Sequence, residues 1–169
     1  MKNSSLFYRT ITLALLSVIS LAAAYIAEYG FGLNPCTLCL YQRIPYAVVI
    51  GITLLALLCY KQHEWVLLLQ LLCAIVFLIG GAIAFYHVGV EHHVFAGLTT
   101  CSGHGKTAMT IEEMRQQLIG TPAVRCDVPA FVFLGLSMAG WNMLWSFFLG
   151  GVTLLLVAND WRHKKGQLG

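Results

Sequence analysis

Charged side chains are scarce in this sequence. Only 10% of its 169 residues are Asp, Glu, Lys or Arg, whereas 59% are hydrophobic. An average soluble domain carries roughly 25% charged residues. A water-soluble fold cannot cover so much apolar surface, so the composition excludes an ordinary soluble domain and indicates a membrane protein. The net charge of +3 is also too small and too scattered to indicate a nucleic-acid partner.

The sequence also lacks internal repeats, low-complexity tracts and Gly/Ser-rich linkers. Its length is enough for one domain and too short for two comfortable ones. We therefore predict a single membrane domain over residues 1–169.

Four apolar runs are long enough to cross a membrane as helices, which takes about 20 residues and at least about 17. They predict transmembrane helices at about 10–27, 44–60, 65–86 and 141–158. The first run also fits a signal peptide, because Lys2 and Arg9 precede it, but it is longer than the usual apolar core of about 7 to 15 residues. The predicted fold is an all-α integral membrane protein, a four-transmembrane-helix bundle.

Basic residues collect on one side of the predicted membrane. This side holds Lys2, Arg9, Lys61, Arg162, Lys164 and Lys165. The positive-inside rule then places both termini in the cytoplasm. The loops 28–43 and 87–140 face the opposite side. The second of these loops also predicts a short amphipathic helix on the membrane surface, where Thr110 and Glu113 fit a capping box and Gly120 a stop.

Four of the six cysteines lie in the two outward loops, namely Cys36, Cys39, Cys101 and Cys126. They admit three pairings, and we favour one pair in each loop. A Cys-x-x-Cys disulfide closes a small strained ring, which is typical of a redox-active bond. The longer loop between the other two cysteines fits either a static brace or an exchangeable bond. The remaining cysteines, Cys59 and Cys73, lie in apolar helices and are expected to be inert packing residues.

The neighbours of Cys39 favour redox chemistry. Cys39 is predicted in the first turn of helix two, where the helix dipole stabilises a thiolate. Arg43 follows four residues later and would share its helical face. A very short turn joins helices two and three, so they are expected to be antiparallel neighbours. His87 at the outer end of helix three then lies at a similar depth, where it could hydrogen-bond a carbonyl ligand or move a proton. Each of these two basic residues could instead be an interfacial residue that faces water.

The combined pattern resembles the disulfide bond formation protein B family (DsbB) of bacterial inner membranes. The resemblance depends on Pro-Cys-x-x-Cys-x-x-Gln-Arg at 35–43, on Tyr86-His87, on Cys101 and Cys126, and on Phe-Leu-Gly-Leu-Ser-Met at 133–138. With the four predicted helices, these features cover nearly the whole chain. No single motif is sufficient, but the combination is specific.

The resemblance implies a protein dithiol:quinone oxidoreductase of the inner membrane whose loops face the periplasm. A reduced thioredoxin-like (DsbA-like) partner would attack Cys101 of a Cys101–Cys126 disulfide. Cys126 would then attack Cys36, and the released Cys39 thiolate would contact ubiquinone or menaquinone. The implied quinone site includes Arg43, which stabilises anions, together with His87 and Met138. Membrane lipid and quinone are thus the other implied partners.

Two other hypotheses remain. Soft metal ions bind Cys and His ligands, so Cys36, Cys39, Cys101 and His104 could form a metal site. The predicted spans offer no row of polar or sulfur ligands for metal transport, and we predict no bound metal. Alternatively, the outward disulfides could be purely structural, which would leave Arg43 beside the Cys-x-x-Cys without a purpose.

Overall fold

The computed structural model describes residues 2–97 and 125–165 and confirms the all-α fold class. Four helices in this part of the chain are long and apolar enough to cross a membrane. They are α1 (Lys2–Tyr25, continued by the π-helical turn Ile26–Gly30), α2 (Thr37–Leu58), α3 (His63–Glu91) and α4 (Met138–Lys165). The short strands β1 (Val132–Phe133) and β2 (Leu136–Ser137) form an antiparallel hairpin just before α4. The predicted amphipathic helix at 110–120 lies outside the described residues.

The helices are longer than the apolar runs at 10–27, 44–60, 65–86 and 141–158. Helix α2 begins at Thr37, α3 continues to Glu91, and α4 begins at Met138. An apolar run marks the part of a helix in hydrocarbon, whereas the helix itself can continue into the interface, where polar side chains are tolerated. The edges of the predicted loops 28–43 and 87–140 are therefore helical, and this extension brings site residues onto rigid elements.

The core contains side chains from all four helices. Its buried members are Leu13, Tyr46, Val49, Cys73, Phe77 and Leu149. The rings of Tyr46 and Phe77 meet edge to face, with centroids 6.0 Å apart. Cys73 is a free, buried thiol in this cluster, as expected of a packing residue.

Small residues allow α3 to pack closely against its neighbours. A Cβ added at Gly80 would lie 3.1 Å from Pro45 of α2. On the other side, a Cβ added at Gly150 of α4 would lie 2.9 Å from Leu78 and 3.2 Å from the Ala74 carbonyl oxygen. Close backbone approach through small residues is the usual way in which membrane helices associate.

Polar contacts tie the other end of the bundle together. Gln70 of α3 donates to the Leu6 carbonyl (3.2 Å) and to Thr10 Oγ1 (3.0 Å) of α1. Arg9 of α1 pairs with Asp160 of α4 at 2.6 Å. The start of α1 and the end of α4 therefore lie at the same end of the bundle, opposite Cys36 and Cys39.

Candidate redox site

Cys36 and Cys39 lie at the start of α2, with Cys36 as the N-cap and Cys39 in the first turn. The Cys36 backbone is extended (φ −76°, ψ 171°), and its sulfur accepts a hydrogen bond from the Cys39 backbone N–H at 3.4 Å. The free N–H groups of a helix start carry partial positive charge and stabilise an anionic acceptor. The prediction that Cys39 occupies the first turn is confirmed, but the capping sulfur belongs to Cys36.

The Cys36 thiol is correspondingly acidic. The two sulfurs lie 3.0 Å apart. When Cys36 is ionised, its sulfur accepts a hydrogen bond from the Cys39 thiol, and this is the main cause that lowers the pKa of Cys36 to about 4. Burial opposes the effect, while a hydrogen bond from His87 adds to it. In the described structure both thiols are free, so this geometry is that of a reduced Cys-x-x-Cys pair.

His87 and Glu91 lie one turn apart on α3 and face this pair. His87 Nε2 is 3.5 Å from Cys36 Sγ and 3.9 Å from the Glu91 carboxylate. The His87 side chain is only 4% exposed and that of Glu91 only 7%, so these groups are shielded from bulk water. His87 thus lies at the depth predicted for it, but its contact is with Cys36.

The segment 133–138 supports the site from the other side. In the turn of the hairpin, Leu134 and Gly135 both have positive φ (52° and 81°). Ser137, the last residue of β2, accepts a hydrogen bond from the Gly140 N–H at the start of α4 and donates to Glu91 Oε2 at 2.5 Å. The hairpin therefore anchors Glu91 and places Met138 at the first position of α4, on the wall of the cavity described below.

A chain of buried polar groups runs away from His87. Gln42 Nε2 is 2.7 Å from His87 Nδ1, and Gln42 Oε1 accepts from Asn142 Nδ2 at 2.6 Å. Asn142 Oδ1 accepts from the Tyr46 hydroxyl at 2.6 Å, and that hydroxyl also meets Ser146 Oγ at 2.9 Å. A buried polar group is costly when it lacks a hydrogen-bond partner, and each group in this chain has one.

Arg43 is held by α1. Its guanidinium donates to Glu28 Oε2 at 2.5 Å and lies 4.9 Å above the Tyr25 ring centre. Glu28 belongs to the π-helical turn at the end of α1, a feature often found at functional sites. Arg43 and Cys39 line the same cavity, but the charge of Arg43 is balanced by a carboxylate that sequence reasoning did not connect to it.

These groups surround one cavity of about 390 Å³ between the outer ends of the helices. The lining includes small side chains of α1 and its π-helical continuation (Ser20, Ala23, Ala24 and Ala27) and two tryptophans of α4, Trp141 and Trp145. Trp145 Nε1 donates to Ser20 Oγ at 3.1 Å, which joins α4 to α1 beside the cavity. The lining also includes five residues predicted from the sequence: Cys36, Cys39, Arg43, His87 and Met138. A largely apolar cleft with a few convergent polar groups is typical of a small-molecule site.

Cys126 connects the second loop to this site. It is disulfide-bonded and buried, and it packs in one cluster with Cys36, Leu38 and Val90, against which Cys39 also rests. Cys101 lies outside the described residues, so its pairing with Cys126 remains a prediction. His104 lies outside them as well.

The same geometry bears on the metal hypothesis. The ligand atoms of Cys36, Cys39 and His87 lie within 4.8 Å of one another, close enough to hold a metal ion. Sequence reasoning proposed different companions for the two cysteines, Cys101 and His104. The structure brings in His87 instead, because α2 and α3 are antiparallel neighbours whose outer ends meet.

Several site residues were not predicted from the sequence: Glu28, Gln42, Tyr46, Glu91, Asn142 and Ser146. The usable signal was weak. Glu91 follows His87 at i+4 and therefore shares its helical face. Gln42 is a polar residue in the predicted boundary of a membrane helix, where polar side chains face inward when they are buried.

Comparisons with known proteins agree with this geometry. The family model "Disulfide bond formation protein DsbB" matches residues 8–156. The chain is 34% identical over 153 residues to disulfide bond formation protein B of Xylella fastidiosa (85% of each chain). It is 31% identical over 140 residues to the Methylococcus capsulatus protein of the same name (80% of this chain and 84% of that one).

It is also 35% identical over 141 residues to an uncharacterized protein of Rickettsia prowazekii (81% of this chain, 80% of that one). No solved structure matches the chain. The family match covers most of the sequence and includes all four loop cysteines. The chain therefore belongs to the DsbB family of disulfide bond formation proteins and is a disulfide oxidoreductase, with four helices able to span a membrane in its described part.

Proposed function

We propose that this chain is a protein dithiol:quinone oxidoreductase of the bacterial inner membrane. It reoxidises a periplasmic thioredoxin-like (DsbA-like) thiol oxidase and passes the electrons to ubiquinone or menaquinone. Both termini lie in the cytoplasm and the cysteine-bearing loops in the periplasm, as the basic residues favour. The whole chain, 1–169, acts as one domain.

The observation that carries this proposal is the shared cluster of Cys36 and Cys126. The two sulfurs of different loops are buried together, and Cys39 rests against them at the edge of the cavity. Thiol–disulfide exchange requires a thiolate to reach a disulfide sulfur. A static brace in the second loop would not need to pack against the Cys-x-x-Cys pair.

The reaction balances as two successive exchanges. The partner's two thiols reduce the Cys101–Cys126 disulfide, so that the partner leaves with a new disulfide and two electrons and two protons stay on this chain. The Cys126 thiolate then attacks Cys36 of the Cys36–Cys39 disulfide and releases the Cys39 thiolate. In a second exchange the Cys101 thiolate attacks Cys126 of the Cys36–Cys126 bond and releases Cys36. This closes the Cys101–Cys126 bond again and leaves Cys36 and Cys39 reduced.

A bound quinone supplies the oxidising power, because it can take up two electrons and two protons and leave as quinol. The cavity fits this group in shape and chemistry. Its apolar walls suit a ring, and Cys39 lies on its lining together with Arg43, His87 and Met138. In our proposal Arg43, His87 and Met138 would hold the quinone: Arg43 would supply positive charge, His87 could hydrogen-bond a carbonyl oxygen, and Met138 would add apolar surface.

Turnover with purified protein tests the proposal. We expect a reduced periplasmic thioredoxin-like protein to be oxidised when ubiquinone or menaquinone is added, with one quinone consumed per disulfide formed. Cys39→Ser should abolish this activity, whereas Cys59→Ser, a free thiol at the far end of α2, should leave it unchanged. Undiminished turnover in Cys39→Ser would contradict the proposed route.

A metal-binding function is the second candidate, favoured by the close grouping of Cys36, Cys39 and His87. It predicts that protein purified under reducing conditions carries zinc or copper in a fixed stoichiometry. Elemental analysis before and after alkylation of the thiols measures this directly. Metal that is lost only when Cys36 and Cys39 are blocked would favour the metal site over the redox route.

A further inference from the structure

The buried polar chain that ends at His87 has a direction. A side-chain amide has a donor end and an acceptor end, so two amides in series transmit one orientation along the chain. The hydroxyl of Tyr46 donates to Asn142 Oδ1, and Asn142 Nδ2 donates to Gln42 Oε1. Gln42 then presents its Nε2 donor to His87 Nδ1 at 2.7 Å.

A ring nitrogen that accepts a hydrogen bond carries no proton, and the hydrogen of a neutral imidazole then lies on the other nitrogen. For His87 this other nitrogen is Nε2, which faces Cys36 Sγ at 3.5 Å and the Glu91 carboxylate at 3.9 Å. Both neighbours accept hydrogen bonds when ionised. The surroundings of Nε2 and those of Nδ1 therefore favour the same tautomer.

We propose that Gln42 is a positioning residue that fixes His87 in its Nε2–H tautomer, with its hydrogen directed at Cys36. Asn142 and Tyr46 set the orientation of the Gln42 amide. The purpose of this arrangement rests on the proposed function. The tautomer of His87 does not, because it is a property of this chain that can be measured by itself.

Burial makes this arrangement effective. As whole residues, Gln42, His87 and Tyr46 are only 7%, 3% and 5% exposed, so water cannot readily replace these three groups, and Asn142 is half-buried. A reversed chain is also self-consistent, with Gln42 Oε1 accepting from His87 Nδ1–H. In that arrangement Nε2 would present a lone pair to Cys36, which could then hold a metal ion but could not donate to a thiolate. The polarity of the two amides thus decides between a hydrogen-bond donor and a metal ligand at Nε2.

The tautomer can be measured without a quinone or a partner protein. Two-bond ¹⁵N–¹H NMR on ¹⁵N-histidine-labelled protein distinguishes a protonated from an unprotonated ring nitrogen, and His87→Phe identifies the signals of His87. In the reduced wild-type protein, over the pH range in which the ring is neutral, we expect the Nε2–H form. In Gln42→Leu, which removes the donor, we expect a mixture of both tautomers.

Gln42→Glu provides a second variant that keeps the shape of the side chain. Its carboxylate can only accept from Nδ1, so we expect the neutral-ring hydrogen to move to that nitrogen. Gln70→Leu is the matched control, since it removes a buried glutamine of α3 that contacts α1 rather than His87, and the tautomer should not change.

The proposal is overturned if wild-type His87 carries its hydrogen on Nδ1, or if Gln42→Leu and Gln42→Glu both keep the wild-type tautomer. Because none of these spectra depends on turnover, failure of the quinone reaction would leave this result intact. Conversely, normal turnover combined with an Nδ1–H ring would remove the positioning role of Gln42 and leave the proposed function standing.

Discussion

Replacing Cys39 tests why the Cys36 thiol is acidic. The hydrogen bond from the Cys39 side chain is the largest cause of the low pKa of Cys36. Cys39→Ala removes this donor, whereas Cys39→Ser replaces the S–H by an O–H that can still donate to the sulfur. The pKa of Cys36 should therefore remain low in the serine variant and rise in the alanine variant.

The magnitudes decide which quantity to measure. With a pKa of about 4, Cys36 is about 99% thiolate at pH 6, whereas a thiol of ordinary pKa, about 8.5, is only about 0.3% thiolate. A less basic thiolate is also a weaker nucleophile, with a Brønsted coefficient of about 0.4–0.5, which removes about 100-fold of the resulting rate advantage. The alkylation rate at a single pH is therefore a poor probe, and its pH dependence is a good one.

Alkylation of Cys36 by iodoacetamide, followed by peptide mass spectrometry between pH 5 and 9, gives this dependence. A lowered pKa keeps the thiolate on the acid side, so the rate in Cys39→Ser should stay nearly constant down to pH 5. In Cys39→Ala it should fall as the pH drops through the same range. Equal thermal denaturation of the two variants would show that the helix start is intact. Identical pH profiles would refute the account of the acidity.

Three further substitutions test the packing and the site. Gly150→Ala should lower the free energy of unfolding by about 1–3 kcal/mol, because its Cβ would meet Leu78 and the backbone of α3. Gly151→Ala should be neutral or slightly stabilising, because its Cβ would have no packing neighbour within 4 Å beyond its own stretch of helix. Equal thermal denaturation of the two variants would contradict this packing. Gln70→Leu should lower the free energy of unfolding by about 1 kcal/mol, because two hydrogen bonds to α1 are lost. Unfolding in mixed micelles measures this, and an unchanged midpoint would show that these bonds contribute nothing. Arg43→Ala should raise the KM for quinone with both disulfides intact, and unchanged quinone kinetics would remove Arg43 from the site.

The features that could be predicted are those set by the length of an apolar run or by the spacing of residues along the sequence. Apolar runs located the four helices, and the short connection after α2 placed the outer ends of α2 and α3 together, which put His87 near the cysteines. The same reasoning placed Cys39 in the first helical turn. It could not assign the capping role to Cys36, because that depends on the extended backbone at the start of α2.

Other features depend on how each helix is rotated about its axis, which an almost uniformly apolar run does not reveal. The contact between Gln42 and Asn142 joins residues that are 100 positions apart. Glu28 reaches Arg43 because α1 ends in a π-helical turn, a local departure that composition does not signal. Burial of Glu91 requires Ser137 of the hairpin as a donor, and this pairing also joins distant segments.

The central claim is that electrons pass from the second loop to the first through a bond between Cys126 and Cys36. The variant Cys39→Ser with Cys101→Ser leaves these two thiols without their usual partners, and mild oxidation followed by non-reducing digestion and mass spectrometry measures what they form. The account predicts an intramolecular Cys36–Cys126 disulfide as the main product, linking the peptide of α2 to that of the second loop. Persistently free thiols, or disulfides only between separate molecules, would contradict it.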